Sequence, residues 1–411
     1  MQWHFQCRSP QWRIGTDAII IAAIATGFCT GASADGTPDN VDTGIRKNQC
    51  YSTGSNALGS CATADITGQD GQLGRDTYAV TKGGANGVLG FDFTKICNSG
   101  RAAGTGSCPA DPVPGDGEDN WACVVDNVTG IMVEIKSSTG YRARDLKYTN
   151  YSASYDPVRQ FGASTDATGF VRALNCATLC GFDDWELAHV DKIQTIVDYG
   201  QAAAGAARVD AAFFPNTNAQ WYWNASPNPS SPSTAFGMNF ADGSADNAAD
   251  RSTQRYVQAQ RNGKTVVGPN GRYEYSADGS EVHDTTVSAR LTWRRCVEGM
   301  SWNGATCVGT PLSFTHEEAL LHAMAEAQAS GESWRVPNVK EQNWLVQRVI
   351  SSPPIDHQAF PNTPAAASWT SSPEVRHPKN AWAIDFGVGL IVQHARSERL
   401  YLRLARDPDF Q

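Results

Sequence analysis

The chain has 411 residues, of which 41% are hydrophobic and 18% charged, with 38 Gly, 20 Pro and 12 Trp. There is enough apolar material for sizeable cores in about two to three domains, so a disordered chain is excluded, and so much Gly and Pro excludes an architecture of long amphipathic helices. A formal net charge of −9 excludes a general nucleic-acid binder, which needs a broad positive field.

At the N-terminus, Arg8 and Arg13 precede an apolar stretch over residues 18–28, and Ala32-Ser33-Ala34 follows before Asp35. Basic, apolar and small-residue segments in that order read as a secretory leader, with residues 1–34 removed by cleavage after Ala34. The apolar stretch is well short of the roughly 20 residues that cross a bilayer, and no other segment approaches that length, so no membrane span is expected.

Residues 35–85 are rich in Gly, Thr, Ser and Asn and have little periodicity, which predicts an irregular extension packed on the module that follows. Cys50 and Cys61, Cys97 and Cys108, and Cys296 and Cys307 are each 11 positions apart across Gly-, Ser- and Asn-rich loops. Three local disulfides are expected, each worth roughly 2 to 3 kcal/mol in the chain-entropy picture, and they place the protein in an oxidising compartment. Zinc would need close cysteine pairs repeated twice, and only Cys176 with Cys180 approaches that spacing. Cys123 is expected to bridge to Cys176 or Cys180; with Cys7 and Cys29 lost in the leader, one thiol of the three is left over.

From there the chain repeats itself with a period near 146 residues, the distance from Phe214 to Phe360. In chain order the first copy shows a helix over residues 169–179, the Asp184-Trp185-Glu186-Leu187-Ala188 motif, and a helix over residues 190–199. Phe214-Pro215-Asn216-Thr217 and the strands around Trp223, Phe236–Phe240 and Tyr256–Arg261 follow. Thr265 to Gly271 is the expected linker.

The second copy repeats the order. Its first helix spans residues 315–329, with Thr315 as N-cap, Glu317 and Glu318 in the first turn, and Ala319, Leu320, Ala323 and Ala327 at helical spacing. Ser333-Trp334-Arg335-Val336-Pro337-Asn338 comes next, then a helix over residues 339–349 bounded by Pro353-Pro354, then Phe360-Pro361-Asn362-Thr363. Strands around Trp369, Trp382–Phe386 and Tyr401–Arg406 close it. The unit is an α+β module, present twice, at residues 86–265 and 266–411.

Thr129-Gly130-Ile131-Met132, Asp184-Trp185, Trp334-Arg335-Val336-Pro337-Asn338, both Phe-Pro-Asn-Thr segments and Trp369-Thr370-Ser371-Ser372 together resemble the C-terminal domain family of the Legionella collagen-like adhesin, in tandem copies over about 320 residues. The chain departs from that pattern at Glu186 and Ala188, where the family has Arg and Pro, at Val133 in place of Trp, and at Val287-Ser288-Ala289-Arg290, where the second copy opens. The resemblance implies a C-type-lectin-like fold whose long loops form a binding surface, and a role in adhesion to glycans. Fold analogy alone does not transfer a ligand.

Trp185, Trp223, Trp334, Trp369 and Trp382 recur at repeat positions and read as core, with Arg335 tying down the loop after it. Trp221 and Tyr222 fall outside that register, beside a Pro- and Ser-rich loop, and are candidate stacking surfaces. Arg376, His377, Lys379, His394, Arg396 and Arg399 gather near the C-terminus, and guanidinium groups pair bidentately with carboxylate or sulfate. These eight residues are the candidate ligand-binding set.

His316 and His322 stand six apart, where a zinc-protease helix needs four, and read as a solvated helix face. Asp242, Asp246 and Asp250 lack calcium-loop spacing and read as a solvated loop. No catalytic, cofactor or metal motif is found. The expected function is a secreted surface binding protein that recognises a glycan or another cell-surface ligand. The alternative is a structural subunit that self-associates into a filament or surface assembly.

Overall fold

The computed structural model describes residues 42–74, 90–261, 271–286, 291–350 and 352–407. The expected leader, most of the expected linker and the Val287-to-Arg290 opening lie outside the described residues. The first helix among the described residues is short, α1 (Asp70–Leu73), in the N-terminal extension.

The first copy runs through β1 (Phe93–Cys97), β2 (Trp121–Asp126), β3 (Met132–Glu134), α2 (Ala167–Cys176), β4 (Glu186–Leu187), α3 (Val190–Ile193), β5 (Trp221–Pro227), β6 (Thr234–Asn239), β7 (Ala245–Asp250), β8 (Tyr256–Val257) and β9 (Ala259–Arg261). Its strands form a five-stranded sheet in the order β1-β2-β3-β9-β4 and a four-stranded sheet in the order β7-β6-β5-β8.

The second copy has β10 (Tyr273–Tyr275), β11 (Glu281–Asp284), β12 (Thr292–Arg294), the hairpin of β13 (Met300–Trp302) and β14 (Cys307–Gly309), α4 (His316–Ser330), α5 (Val339–Asn343), β15 (Ala367–Pro373), β16 (Asn380–Asp385), β17 (Leu390–Ala395) and β18 (Ala405–Arg406). Its sheets, β10-β11-β12-β18 and β15-β16-β17, repeat the first copy's order.

The repeat extends to single hydrogen bonds. Val190 N donates to Ser226 Oγ and Val339 N to Ser372 Oγ, while Ala225 N reaches Ala188 O and Ser371 N reaches Pro337 O. The β5–β6 and β15–β16 pairs carry the same register shift, between Trp223 and Pro227 and between Trp369 and Pro373. The molecule is therefore a mixed α+β structure of small sheets with few helices.

The second copy's long helix forms as its caps dictate. Thr315 accepts from Glu318 N while Glu318 reaches back to Thr315 N, and Gly331 ends the helix at φ 76°, a conformation that suits glycine. The first copy's helix starts at Ala167, two residues before the expected position, because Asp166 accepts from Thr168 N. It ends at Cys176, since Thr178 (φ 46°) and Cys180 (φ 53°) hold left-handed backbone that no α-helix contains.

The helices expected over residues 190–199 and 339–349 shrink to α3 and α5. Residues 193–200 are buried without interruption, and the carbonyls of Thr195, Tyr199 and Gly200 take tertiary donors instead of a helical ladder. Thr195 O accepts from Lys340 Nζ (2.8 Å) and Tyr199 O from Arg208 Nη1 (2.7 Å).

Disulfides join Cys50 to Cys61, Cys97 to Cys108, Cys296 to Cys307 and Cys123 to Cys180. Cys176 is disulfide-bonded as well, so the surplus thiol expected among Cys123, Cys176 and Cys180 does not exist.

The extension packs on both copies. Tyr51 and Ile66 enter a cluster with Ala319, Leu320, Trp334 and Trp369 of the second copy, and Ser372 Oγ donates to buried Asp70. It reaches the first copy as well, through Gln49 and Gly200 O (3.0 Å). The largest core crosses the boundary between copies, joining Trp121, Ile193, Tyr222 and Phe236 to Trp293, Leu345, Trp382 and Ile391.

Candidate binding site

The two copies face each other about an approximate two-fold relation, and equivalent residues meet across it. Gln194 and Asn343 each lie nine residues beyond their copy's Trp185 or Trp334, and Asn343 Nδ2 donates to Gln194 Oε1 (2.8 Å). Five residues further on, Tyr199 packs edge-on against Trp382 (5.1 Å), while its counterpart Arg348 lies over Phe236 (5.4 Å), the counterpart of Trp382. Lys340 Nζ is sealed in this contact, donating to Asp42 O (2.6 Å) and Thr195 O, and burial lowers its pKa.

One flank of the contact is closed by the loop between β15 and β16. Arg208 and Glu374 form an ion pair at 2.5 Å with both side chains almost fully buried. Arg376 turns inward beside it, donating Nε to Gln201 O (3.2 Å) and Nη2 to Ala206 O (3.1 Å), with Nη1 on Ala241 O. Two inward anchors hold the loop rigid and leave His377 and Lys379 outside, the His377 side chain 71% exposed.

The next turn, after β17, is adjacent, since Arg396 N donates to Lys379 O (2.8 Å). Arg399 is exposed there, with Nη1 on Glu318 Oε2 (2.7 Å) and Nη2 on Ser313 O (2.6 Å). His394 is half-buried, with Nδ1 at 2.9 Å from Glu398 Oε2.

The structure thus divides the sequence's candidate set. Arg396 is 5% exposed; it donates to Ser55 O and Asn56 Oδ1 and lies 3.6 Å over the Tyr51 ring, binding the extension to the second copy. Arg376 is likewise spent on carbonyls. Tyr222 is a core residue, 1% exposed, within β5, and Trp221 beside it is half-buried under Arg255 (4.9 Å). These two belong to a strand, because the pairing of β5 with β6 begins at Trp221. His377, Lys379 and Arg399 remain facing solvent at one end of β16 and β17.

Two further expectations are corrected. His316 is buried, not solvated: Nε2 donates to Thr370 O (2.9 Å), Nδ1 accepts from Arg396 Nε (3.2 Å), and Tyr51 and Trp369 stand edge-on around it. Burial and the nearby guanidinium hold its pKa down to about 3. Asp246 and Asp250 belong to β7 and not to a loop; Asp246 pairs with Arg255 through two bonds of 2.8 Å, while Asp242 and Asp250 cap Ser244 and Ser252.

Among the described residues no group of three or more His, Cys, Asp or Glu is placed to hold a metal, and no helix is long and apolar enough to cross a membrane.

The family model for the Lcl C-terminal domain matches residues 122–261 and again 281–406, well over half the chain. The chain belongs to the Lcl C-terminal domain family. Each match spans one copy from its second strand to its last, so the Lcl C-terminal domain is present in tandem. No curated protein and no solved structure matches the chain. Membership in the Lcl family and the four disulfides with both cysteines described are consistent with an extracellular or secreted protein.

Proposed function

We propose that this tandem Lcl C-terminal domain protein is a secreted surface binding protein, an adhesin with C-type-lectin-like modules that holds acidic glycans without chemistry of its own. The observation that carries this reading is the rigid loop after β15. Glu374 and Arg376 anchor it inward, and His377 and Lys379 project from it beside Arg399. Donor side chains held on an ordered support meet an anionic ligand with little entropy left to lose, and two modules in one chain add avidity for weak sites.

The test is titration of the full, oxidised chain with sulfated and carboxylated oligosaccharides at two salt concentrations. Binding that weakens with salt, and falls about tenfold on replacing His377 and Lys379 together with Ala, is the expected result. Arg376 and Arg396 are left intact in that variant, because their replacement would unseat the loop and the extension. A chain that ignores every glycan and forms ordered multimers would instead be a filament or surface-layer subunit.

A further inference from the structure

The approximate two-fold relation makes one flank of the contact a template for the other, and the two flanks differ. Opposite the niche filled by Arg376 lies a cavity of about 360 Å³, within the ~300–1,000 Å³ range of small-molecule sites. Its lining contains the counterparts of the filled niche. Asn228 and Ser230 stand where the other copy has Glu374 and Arg376, and Pro354 stands where it has Arg208. An ion pair and a plugging guanidinium are thus replaced by an amide, a hydroxyl and a proline, and no side chain fills the space.

The charge accounting differs too. In the filled niche every charge is answered: Arg208 by Glu374, and Arg376 by three carbonyls. Arg348 lines the cavity where the other flank has uncharged Tyr199, and it is 6% exposed. Nη2 donates to Asn343 Oδ1 (2.6 Å) and Nε, like that of Arg208, has no hydrogen-bond partner; what sets Arg348 apart is that no ion pair reaches it among the described residues. Burial lowers its pKa to about 10, with Asp191 acting only through space. A buried guanidinium without a counter-charge is unfavourable until an anion supplies one.

We propose that this cavity is a binding site for a small hydroxylated carboxylate of the uronic-acid class, with the carboxylate on Arg348. A planar carboxylate matches the guanidinium fork, the Ser230 hydroxyl and the Asn247 amide line the polar side, and Phe236 and Val388 supply an apolar wall. The site is distinct from the exposed cations of the loop after β15 and stands whether or not those bind glycans.

The probe is sodium glucuronate, titrated calorimetrically into the full, oxidised chain, with glucose as the neutral comparison and a short oligosaccharide ending in glucuronate as a second arm. The expected result is saturable binding of glucuronate, with glucose at least about tenfold weaker. Arg348→Gln should weaken glucuronate by a similar factor. Ser230→Trp places an indole at the exposed rim, so it should abolish binding with an unchanged melting temperature even if Arg348→Gln fails to fold. Binding of both acids makes the free sugar acid a sufficient ligand; binding of the oligosaccharide alone makes a chain end the ligand. Binding of neither overturns the site, as does glucuronate binding undiminished in Ser230→Trp. Glucuronate binding by a chain that ignores extended glycans would overturn the adhesin reading and leave this site standing.

Discussion

Arg335 and Glu186 occupy the same place in the two copies, one residue after the repeat tryptophan, and carry opposite charges. Arg335 holds Glu341 through two bonds of 2.8 Å with both side chains nearly buried. In the first copy the pair is inverted: Lys192, at the position of Glu341, donates to Glu186 at 3.1 Å on a surface more than a quarter exposed. The departure at Glu186 is therefore compensated within the same copy, and the two pairs should differ in worth. Arg335→Ala leaves a buried carboxylate unpaired and should destabilise by about 3–5 kcal/mol, whereas Lys192→Ala should cost no more than about 1 kcal/mol, both read by denaturant unfolding. Equal losses would refute the contrast.

His316 gives the pH dependence a definite sign. Its pKa falls from 6.5 to about 3 on folding, so below pH 6.5 the unfolded chain takes up a proton that the folded chain refuses. The stability tied to a neutral His316 is complete above pH 6.5 and is lost as pH falls toward 3, by up to about 1.4 kcal/mol per pH unit. His316→Gln removes that term, so the stability gap between wild type and variant should narrow on acidification from pH 6.5 to 4. A gap that stays constant would mean that His316 takes up its proton equally in the folded and unfolded chain, so that folding does not hold it neutral.

At the scale of elements, the legible features were those whose cause is local. Thr315, Glu318 and Gly331 specify α4 from sequence alone, and the alternating strands around Trp223 and Trp382 lie where the repeat places them. Thr315→Ala should therefore cost about 1 kcal/mol by loss of the cap, measurable by thermal unfolding, and Thr315→Asp should restore most of it. What was hidden depends on tertiary partners. The shortness of α3 follows from Lys340 and Arg208 reaching the carbonyls of Thr195 and Tyr199, and α5 stops where Arg272 reaches Trp344 O; these donors come from distant segments, and no local pattern carries that information. The candidate site failed in the same way: Arg376 and Arg396 read as surface cations until the carbonyls of Gln201, Ala206 and Ser55 appear beside them.

At the scale of the molecule, two Lcl C-terminal domains share one core. Phe236 and Trp382 belong to a single apolar cluster, Arg208 of one copy is buried against Glu374 of the other, and Lys340 bridges both copies and the extension. The binding features follow from that union, because the rigid cationic loop and the Arg348 cavity are the two flanks of one contact. A sequence divided into two modules conceals this, since each copy alone accounts for its own motifs but for neither flank.

The most direct test of shared folding is differential scanning calorimetry of the full chain beside Arg208→Ala. The shared core predicts one cooperative transition, with van't Hoff and calorimetric enthalpies equal, which the variant shifts downward as a whole by the equivalent of about 3–5 kcal/mol. Two separable transitions, with the variant moving one and leaving the other in place, would contradict it.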